Sequence, residues 1–156
     1  MTDPQDVVTV ERLIPAEAGA IFDLIAHPSK HREIDGSGTV QGAKGATKGE
    51  RLELGSTFGM SMKMGLPYSM NSTVIEFEEG RRLAWQTRGP GPFGKLVGGR
   101  IWRYELEPVD EGTLVKESWD ISQESVLTKL AVKGQGKKTA ENMSATLARI
   151  EDLLAP

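Results

Sequence analysis

The chain lacks cysteine, long apolar runs and any concentration of basic residues, and each absence removes a class of protein. Without cysteine there is no disulfide, thiolate metal site or cysteine nucleophile. The 19 basic residues are spread among 22 acidic ones, which leaves no basic footprint for a nucleic acid. No apolar stretch approaches the roughly 20 residues of a membrane span, and the start of the chain does not look like a secretory signal. We therefore expect a cytoplasmic protein that neither binds nucleic acid nor inserts into a membrane.

Residues that hold metals or nucleotides are also scarce, and the chain has only two histidines. His27, His31 and Asp35 stand four residues apart and would align on one continuous helix. Pro28 argues against that helix, because a residue before proline is pushed out of helical geometry. The run 89–94 matches a GxGxxG pattern, but it joins two predicted strands and lacks the following helix that a dinucleotide site needs. We expect neither a metal nor a cofactor.

Hydrophobic periodicity predicts a first strand, two short helices, about six more strands and a long C-terminal helix. The β-branched run 7–14 predicts the first strand, Pro15 is expected to open the first helix, and 29–34 the second. Short turns between the later strands favour antiparallel hairpins. One sheet and one amphipathic helix must cover each other, which predicts an α+β domain over 1–156. The later strands are predicted over 39–42, 57–64, 68–78, 81–88, 100–108 and 113–121, and the last helix presents Met143, Leu147, Ile150 and Leu154 on one face.

Three short motifs add to this order: Ile-Pro-Ala at 14–16, Gly-Arg-Arg-Leu-Ala-Trp at 80–85, and 142–147 in the last helix. Together they resemble the START-like (SRPBCC) superfamily, most closely its small bacterial polyketide cyclase/dehydrase branch, over residues 7–154. The resemblance implies the helix-grip fold, with a curved antiparallel sheet of about seven strands wrapped around the C-terminal helix. It also implies a cavity between sheet and helix that takes up an apolar ligand without a metal or fixed cofactor.

Methionine is unusually frequent in strand 57–64, where Phe58, Met60, Met62 and Met64 occupy alternate positions. Alternate residues of a strand share one face, and methionine is flexible enough to fit varied apolar partners. The stripe is therefore either ordinary core or the wall of a ligand cavity. The same alternation, with the last helix, predicts a ligand-binding set of Phe58, Met60, Met62, Met64, Leu83, Trp85, Trp102, Tyr104, Glu117, Trp119, Met143 and Leu147.

Glu117, Tyr104 and His31 are the candidates for catalysis. Glu117 shares the parity of Val115 and Trp119, so it should face inward, where burial would raise its pKa and suit it to acid or base chemistry. A bulge that reversed the parity, or a wet end of the cavity, would leave it exposed instead. Tyr104 on the neighbouring strand could share its ligand. The resemblance places the short second helix beside the cavity entrance, so His31 could serve as a gate or ligand contact.

Three functions remain open at this point. The first is binding of a hydrophobic small molecule, lipid-like or an aromatic polyketide, in the sheet-helix cavity. The second is a polyketide cyclase or dehydratase that uses the same cavity. The third is a stress or regulatory module that docks a protein through the apolar loop 93–97. A monomer and a homodimer are equally compatible with the sequence.

Overall fold

A computed structural model describes residues 6–36, 40–44, 51–64, 66–89 and 98–154, with side-chain positions except at 40–44, 60–64, 66–69 and 127. The strands are β1 (Val7–Ile14), β2 (Val40–Lys44), β3 (Thr57–Met64), β4 (Leu66–Glu78), β5 (Arg82–Arg88), β6 (Gly98–Val109) and β7 (Gly112–Asp120). The helices are α1 (Ala18–Ile25), α2 (His31–Ile34), α3 (Val126–Val132) and α4 (Gly136–Leu154). Two short 3-10 turns, Pro28–Lys30 and Lys133–Gln135, lead into α2 and α4.

The strands form one antiparallel sheet in the order β1-β7-β6-β5-β4-β3-β2. The first strand pairs with the last one, with Val7 opposite Asp120 and Ile14 opposite Thr113. Helix α4 packs across β1 and β7 and also touches α1 and α2. This arrangement confirms the predicted α+β helix-grip architecture. No helix in the described ranges is both long and apolar enough to cross a bilayer.

The buried apolar side chains form two clusters between the sheet and the helices. The larger cluster joins α1, α4 and the middle of the sheet, and includes Phe22, Leu83 and Leu147. Full burial of one such side chain contributes about 1.5–3 kcal/mol, so this cluster dominates the stability of the fold. The smaller cluster lies at the other end of β7 and consists of Trp119, Ile121, Val132 and Met143, with Val8, Val10 and Trp102 packed against it.

Helix α1 begins later than the sequence predicts, because Pro15 lies in a turn before it. The Ala16 amide donates to the Ile14 carbonyl (2.8 Å), and the Thr113 hydroxyl donates to the Ala16 carbonyl (2.8 Å). Gly112 lies so close to this turn that a Cβ there would fall 2.2 Å from the Ile14 carbonyl oxygen. Contact with the β6-β7 hairpin therefore holds the turn and delays the helix to Ala18.

Gly36, just after α2, fixes that short helix against α4. Its amide donates to the Thr146 hydroxyl (2.8 Å), and a Cβ at this position would lie 2.4 Å from the Asn142 carbonyl oxygen and 2.5 Å from the Thr146 amide nitrogen. Such distances are far inside van der Waals contact, and both atoms belong to the backbone. The absence of a side chain thus sets how closely α2 approaches α4.

Gly36→Ala should lower the free energy of unfolding by about 1–3 kcal/mol, because the added methyl forces the two segments apart. Urea denaturation followed by circular dichroism measures the change. Gly19→Ala is the matched control: nothing lies within 4 Å of an added Cβ there, and alanine is the better helix former, so the change should be neutral or slightly stabilising. Equal effects at the two glycines would show that the α2-α4 contact is looser than described.

Candidate functional site

An aromatic cluster assembles His31, Phe58, Trp85 and Tyr104 on the sheet face that α4 covers. The His31 ring stacks on Trp85 with centroids 5.1 Å apart and planes 20° from parallel. Phe58 meets both rings edge-on, each at a centroid distance of 5.6 Å. Tyr104 lies 5.8 Å from Trp85 in a tilted arrangement. Four elements, α2, β3, β5 and β6, therefore meet at Trp85, and each such ring contact adds about 0.5–1.5 kcal/mol beyond area burial.

Glu117 lies beside this cluster, directly opposite Tyr104 in the pairing of β6 with β7. Both side chains are buried, Glu117 with 3% and Tyr104 with 4% of its surface exposed. The Tyr104 hydroxyl donates a hydrogen bond to the Glu117 carboxyl group. The Oε2 atom of Glu117 is buried without any hydrogen-bond partner.

Burial raises the pKa of Glu117 to about 8, an effect that the Tyr104 hydrogen bond opposes and the charge of Asp35 reinforces. Desolvation penalises the charged form of a carboxyl group, and no cation is among the groups that shift this pKa. Burial, and then the proximity of Glu117, raises the pKa of Tyr104 well above its ordinary value. At neutral pH Glu117 is therefore mainly a neutral acid.

His31 is a neutral ring held by the backbone. Its Nε2 lies 2.8 Å from the Ile25 carbonyl oxygen, and since a carbonyl only accepts, Nε2 carries the hydrogen. Burial lowers the pKa of His31 to about 4, although the Ile25 bond and the charge of Asp35 act in the opposite direction. A ring with so low a pKa is a weak base. His31 therefore contributes a flat aromatic surface rather than a charge.

His27 and His31 do not meet in a metal site. The Nδ1 atom of His27 bonds the Asp23 carbonyl (2.6 Å) within the α1 turn, whereas His31 is buried against Trp85. Asp35 ends α2 through a backbone bond from its amide to the His31 carbonyl (2.9 Å). In the ranges that the structure describes, no group of three or more histidine or acidic side chains is arranged to hold a metal ion.

Trp102 and Trp119 form a second aromatic contact two register pairs away from Tyr104 and Glu117, on the same face of the sheet, with ring centroids 6.5 Å apart. Trp119 belongs to the smaller core cluster, while Val115, two residues before Glu117, belongs to the larger one. Glu117 thus lies where the apolar core is interrupted along β7. Trp102 and Trp85, which face each other across β5 and β6, are only half-buried.

The structure brings most of the sequence-predicted set together. Trp85 and Trp102 are the half-buried members. The side chains of Met60, Met62 and Met64 lie outside the described residues, as does loop 93–97, so the methionine stripe and the loop remain predictions. The fully buried members are Phe58, Leu83, Tyr104, Glu117, Trp119, Met143 and Leu147.

Sequence reasoning did not identify two sets of buried polar side chains that lie at the same end of the sheet. Ser72 and Thr87 share a hydrogen bond (2.9 Å) on β4 and β5, and their parity with Trp85 could have revealed them. Glu124 has a fully buried side chain that pairs with Arg100 (2.9 Å) and accepts from the Thr128 hydroxyl (2.6 Å). No sequence pattern indicates this second group, because Glu124 follows β7 in an irregular segment.

The chain belongs to the family described as polyketide cyclase / dehydrase and lipid transport, whose model matches residues 5–155. This confirms the resemblance to the START-like superfamily. The chain is 32% identical over 148 residues to the uncharacterized protein Rv0088 of Mycobacterium tuberculosis, in an alignment that covers 91% of this chain and 61% of that protein. It therefore spans about three fifths of the length of this relative.

Two solved structures illustrate how widely the fold is shared. Protein CV1439 of Chromobacterium violaceum superposes with a TM-score of 0.72 at 13% identity, covering 97% of this chain and 98% of the other. Ginseng major latex-like protein 151 of Panax ginseng superposes with a TM-score of 0.68 at 16% identity, covering 96% and 97%. At these identities the likeness establishes the fold alone.

Glu117→Gln should stabilise the protein at neutral and alkaline pH. The folded-state pKa is raised above the unfolded value of 4.5, so the glutamate form is most stable below about pH 4.5 and loses stability as pH rises toward about 8. The unfolding free energy of the variant should exceed that of the wild type by about 3 kcal/mol at pH 7, because each pH unit above the unfolded-state pKa costs the wild type about 1.4 kcal/mol.

Urea unfolding curves recorded across this pH range measure the effect. Glu107→Gln, on an exposed position of β6, is the control and should leave the pH dependence unchanged. An unaltered pH slope in Glu117→Gln would mean that Glu117 is ionised in the folded protein.

Proposed function

We propose that the protein binds a neutral hydrophobic small molecule, lipid-like or aromatic, between the sheet and α4. Trp85 and Trp102 carry this proposal, because both are half-buried and pair with each other on the sheet face that also holds the buried Tyr104. Every further 100 Å² of apolar surface that a ligand buries there contributes about 2.5 kcal/mol to binding. A mostly aromatic wall with one polar group is typical of small-molecule sites.

The family description supports the same class of ligand, since polyketides and lipids are both largely apolar. We propose one ligand-binding domain over residues 1–156 that acts in the cytoplasm, as a monomer or a homodimer. The outer methionines of β3 would extend the wall beyond Phe58. His31 would hold Trp85 in place through their stacked rings.

Titration with monoolein and with an anthraquinone should change the tryptophan fluorescence. The change should be reduced in Trp85→Phe and in Trp102→Phe, whose rings line the half-buried region, and retained in Trp119→Phe, whose ring is enclosed. Native mass spectrometry of the purified protein should show a co-purified apolar molecule. No optical response, no thermal response and no bound mass across such a panel would overturn the proposed function.

A second candidate function is dehydration or cyclisation of a polyketide-like substrate. The specific observation in its favour is the pKa of Glu117, which burial brings to about 8, near the range where a general acid works best. A neutral carboxyl can protonate a departing hydroxyl group, which leaves as water, and the carboxylate so formed can take up the proton that the α-carbon releases as the double bond forms. Tyr104 would hold the carboxyl group in position. His31 is the weaker candidate, because its pKa is about 4 and its Nε2 hydrogen is engaged by the backbone.

The aldol of benzaldehyde and acetone provides a simple probe, because its dehydration gives a conjugated ketone that absorbs in the near ultraviolet. If the protein is such an enzyme, Glu117→Gln should abolish the acceleration while leaving binding of the aldol intact, and Glu107→Gln should retain it. Equal turnover in wild type and Glu117→Gln would remove Glu117 from the chemistry.

A further inference from the structure

The Oε2 atom of Glu117 stands out among the buried polar atoms of the described ranges. Only one other buried side-chain oxygen there lacks a hydrogen bond, Oδ1 of Asp6. Asp6 is compensated by an ion pair with Lys129, whose Nζ lies 2.8 Å from Oδ2. No cation of the described ranges pairs with Glu117, and an unpartnered buried group costs about 1–3 kcal/mol. This atom therefore calls for a functional explanation.

The strand neighbours of Glu117 offer its Oε2 atom no hydrogen-bond partner. Val10 lies opposite it on β1, and Val115 and Trp119 are its same-face neighbours on β7. Valine has no polar side-chain atom, and the tryptophan indole only donates. The Tyr104 hydroxyl interacts with the carboxyl group as a donor. A neutral Glu117 thus has an O–H donor that none of these strand neighbours accepts.

The distance from Glu117 to the half-buried Trp102 and Trp85 matches the length of a small ring system. Tyr104, which pairs with Glu117, and Trp102 are alternate residues of β6, so their Cα atoms lie about 7 Å apart. A molecule that lies along Trp102 and Trp85 would therefore have to extend two register pairs farther, about 7 Å, to reach Glu117. Two fused aromatic rings, or a short section of an alkyl chain, span that length.

We propose that Glu117 selects the ligand by an oxygen acceptor: a ketone, ester or ether oxygen accepts from Oε2 while the apolar body lies on Trp85 and Trp102. This inference rests on the proposed function, since it assumes that a ligand enters the site. Free carboxylate ligands are disfavoured, because their negative charge would lie near the negative charge of Asp35. The specificity is thus for neutral, acceptor-bearing molecules over hydrocarbons and over anions.

Matched pairs of probes test this selection. Methyl naphthyl ketone and isopropenylnaphthalene have nearly the same shape and differ by a carbonyl oxygen in place of a methylene, and undecyl methyl ketone with its methylene counterpart forms an aliphatic pair. At about pH 6, below the Glu117 pKa, the wild type should bind each ketone about tenfold more tightly than its partner, the effect of one hydrogen bond to a group otherwise left unpaired. Tryptophan fluorescence gives the dissociation constants.

Two variants separate the hydrogen bond from simple packing. Glu117→Leu should bind both members of a pair equally, because leucine donates nothing. Glu117→Gln should keep the ketone preference at every pH, because its amide still donates, whereas the wild type should lose the preference at about pH 10, where Glu117 is ionised. Circular dichroism verifies that each variant is folded, and the wild type and Glu117→Gln decide the question even if Glu117→Leu is not.

The outcomes distinguish this inference from the proposed function. Equal binding of ketone and hydrocarbon by the wild type, or an undiminished preference in folded Glu117→Leu, would overturn the selection by Glu117 while leaving apolar ligand binding intact. If neither member of either pair binds, the proposed function fails together with the inference. A lower dissociation constant for undecanoate than for undecyl methyl ketone would also contradict the proposed selection of neutral ligands by Glu117.

Discussion

The central constraint of this protein is a carboxyl group enclosed in the middle of its core. Glu117 sits between two apolar clusters, facing Tyr104 across the β6-β7 pairing. Burial keeps water from the carboxyl group and no cation of the described residues balances it, so the folded protein favours its protonated form. The fold tolerates this cost because the surrounding strands and α4 bury enough apolar surface to remain stable. A buried acid with so shifted a pKa is a candidate for a functional role.

The rest of the site follows from how the helices are fixed above this group. The close approach at Gly36 anchors α2 on α4, which presents the His31 ring to Trp85 and brings the charge of Asp35 near Tyr104 and Glu117. That negative charge favours the protonated form of Glu117. Backbone contacts at one end of a short helix thus influence a proton held on the sheet, and the site is a property of several elements rather than of one motif.

Period-two alternation predicted the buried parity of Glu117 and Tyr104, because a strand offers only two faces and the apolar neighbours mark which one is inside. It could not predict the register of β4 with β5, which shifts between Val74 and Glu76 at an irregularity that no turn residue announces. The His31-Trp85 stack could not be predicted either, because it depends on the tertiary docking of α2. Pro15 was wrongly predicted to open the first helix, because contacts with Gly112 and Thr113 outweigh the local preference of proline for a first helical turn.

The pairing of β1 with β7 also has a consequence for how the chain is made. Val10 has no partner on β7 until Glu117, about a hundred residues later in the sequence, has been synthesised. A ribosome adds about 5–20 residues per second, so β1 remains unpaired for roughly 5–20 s during synthesis. The strand that carries Glu117 is therefore also the one that connects β1 to the rest of the sheet, and the nascent chain has neither a complete sheet nor a finished core until then.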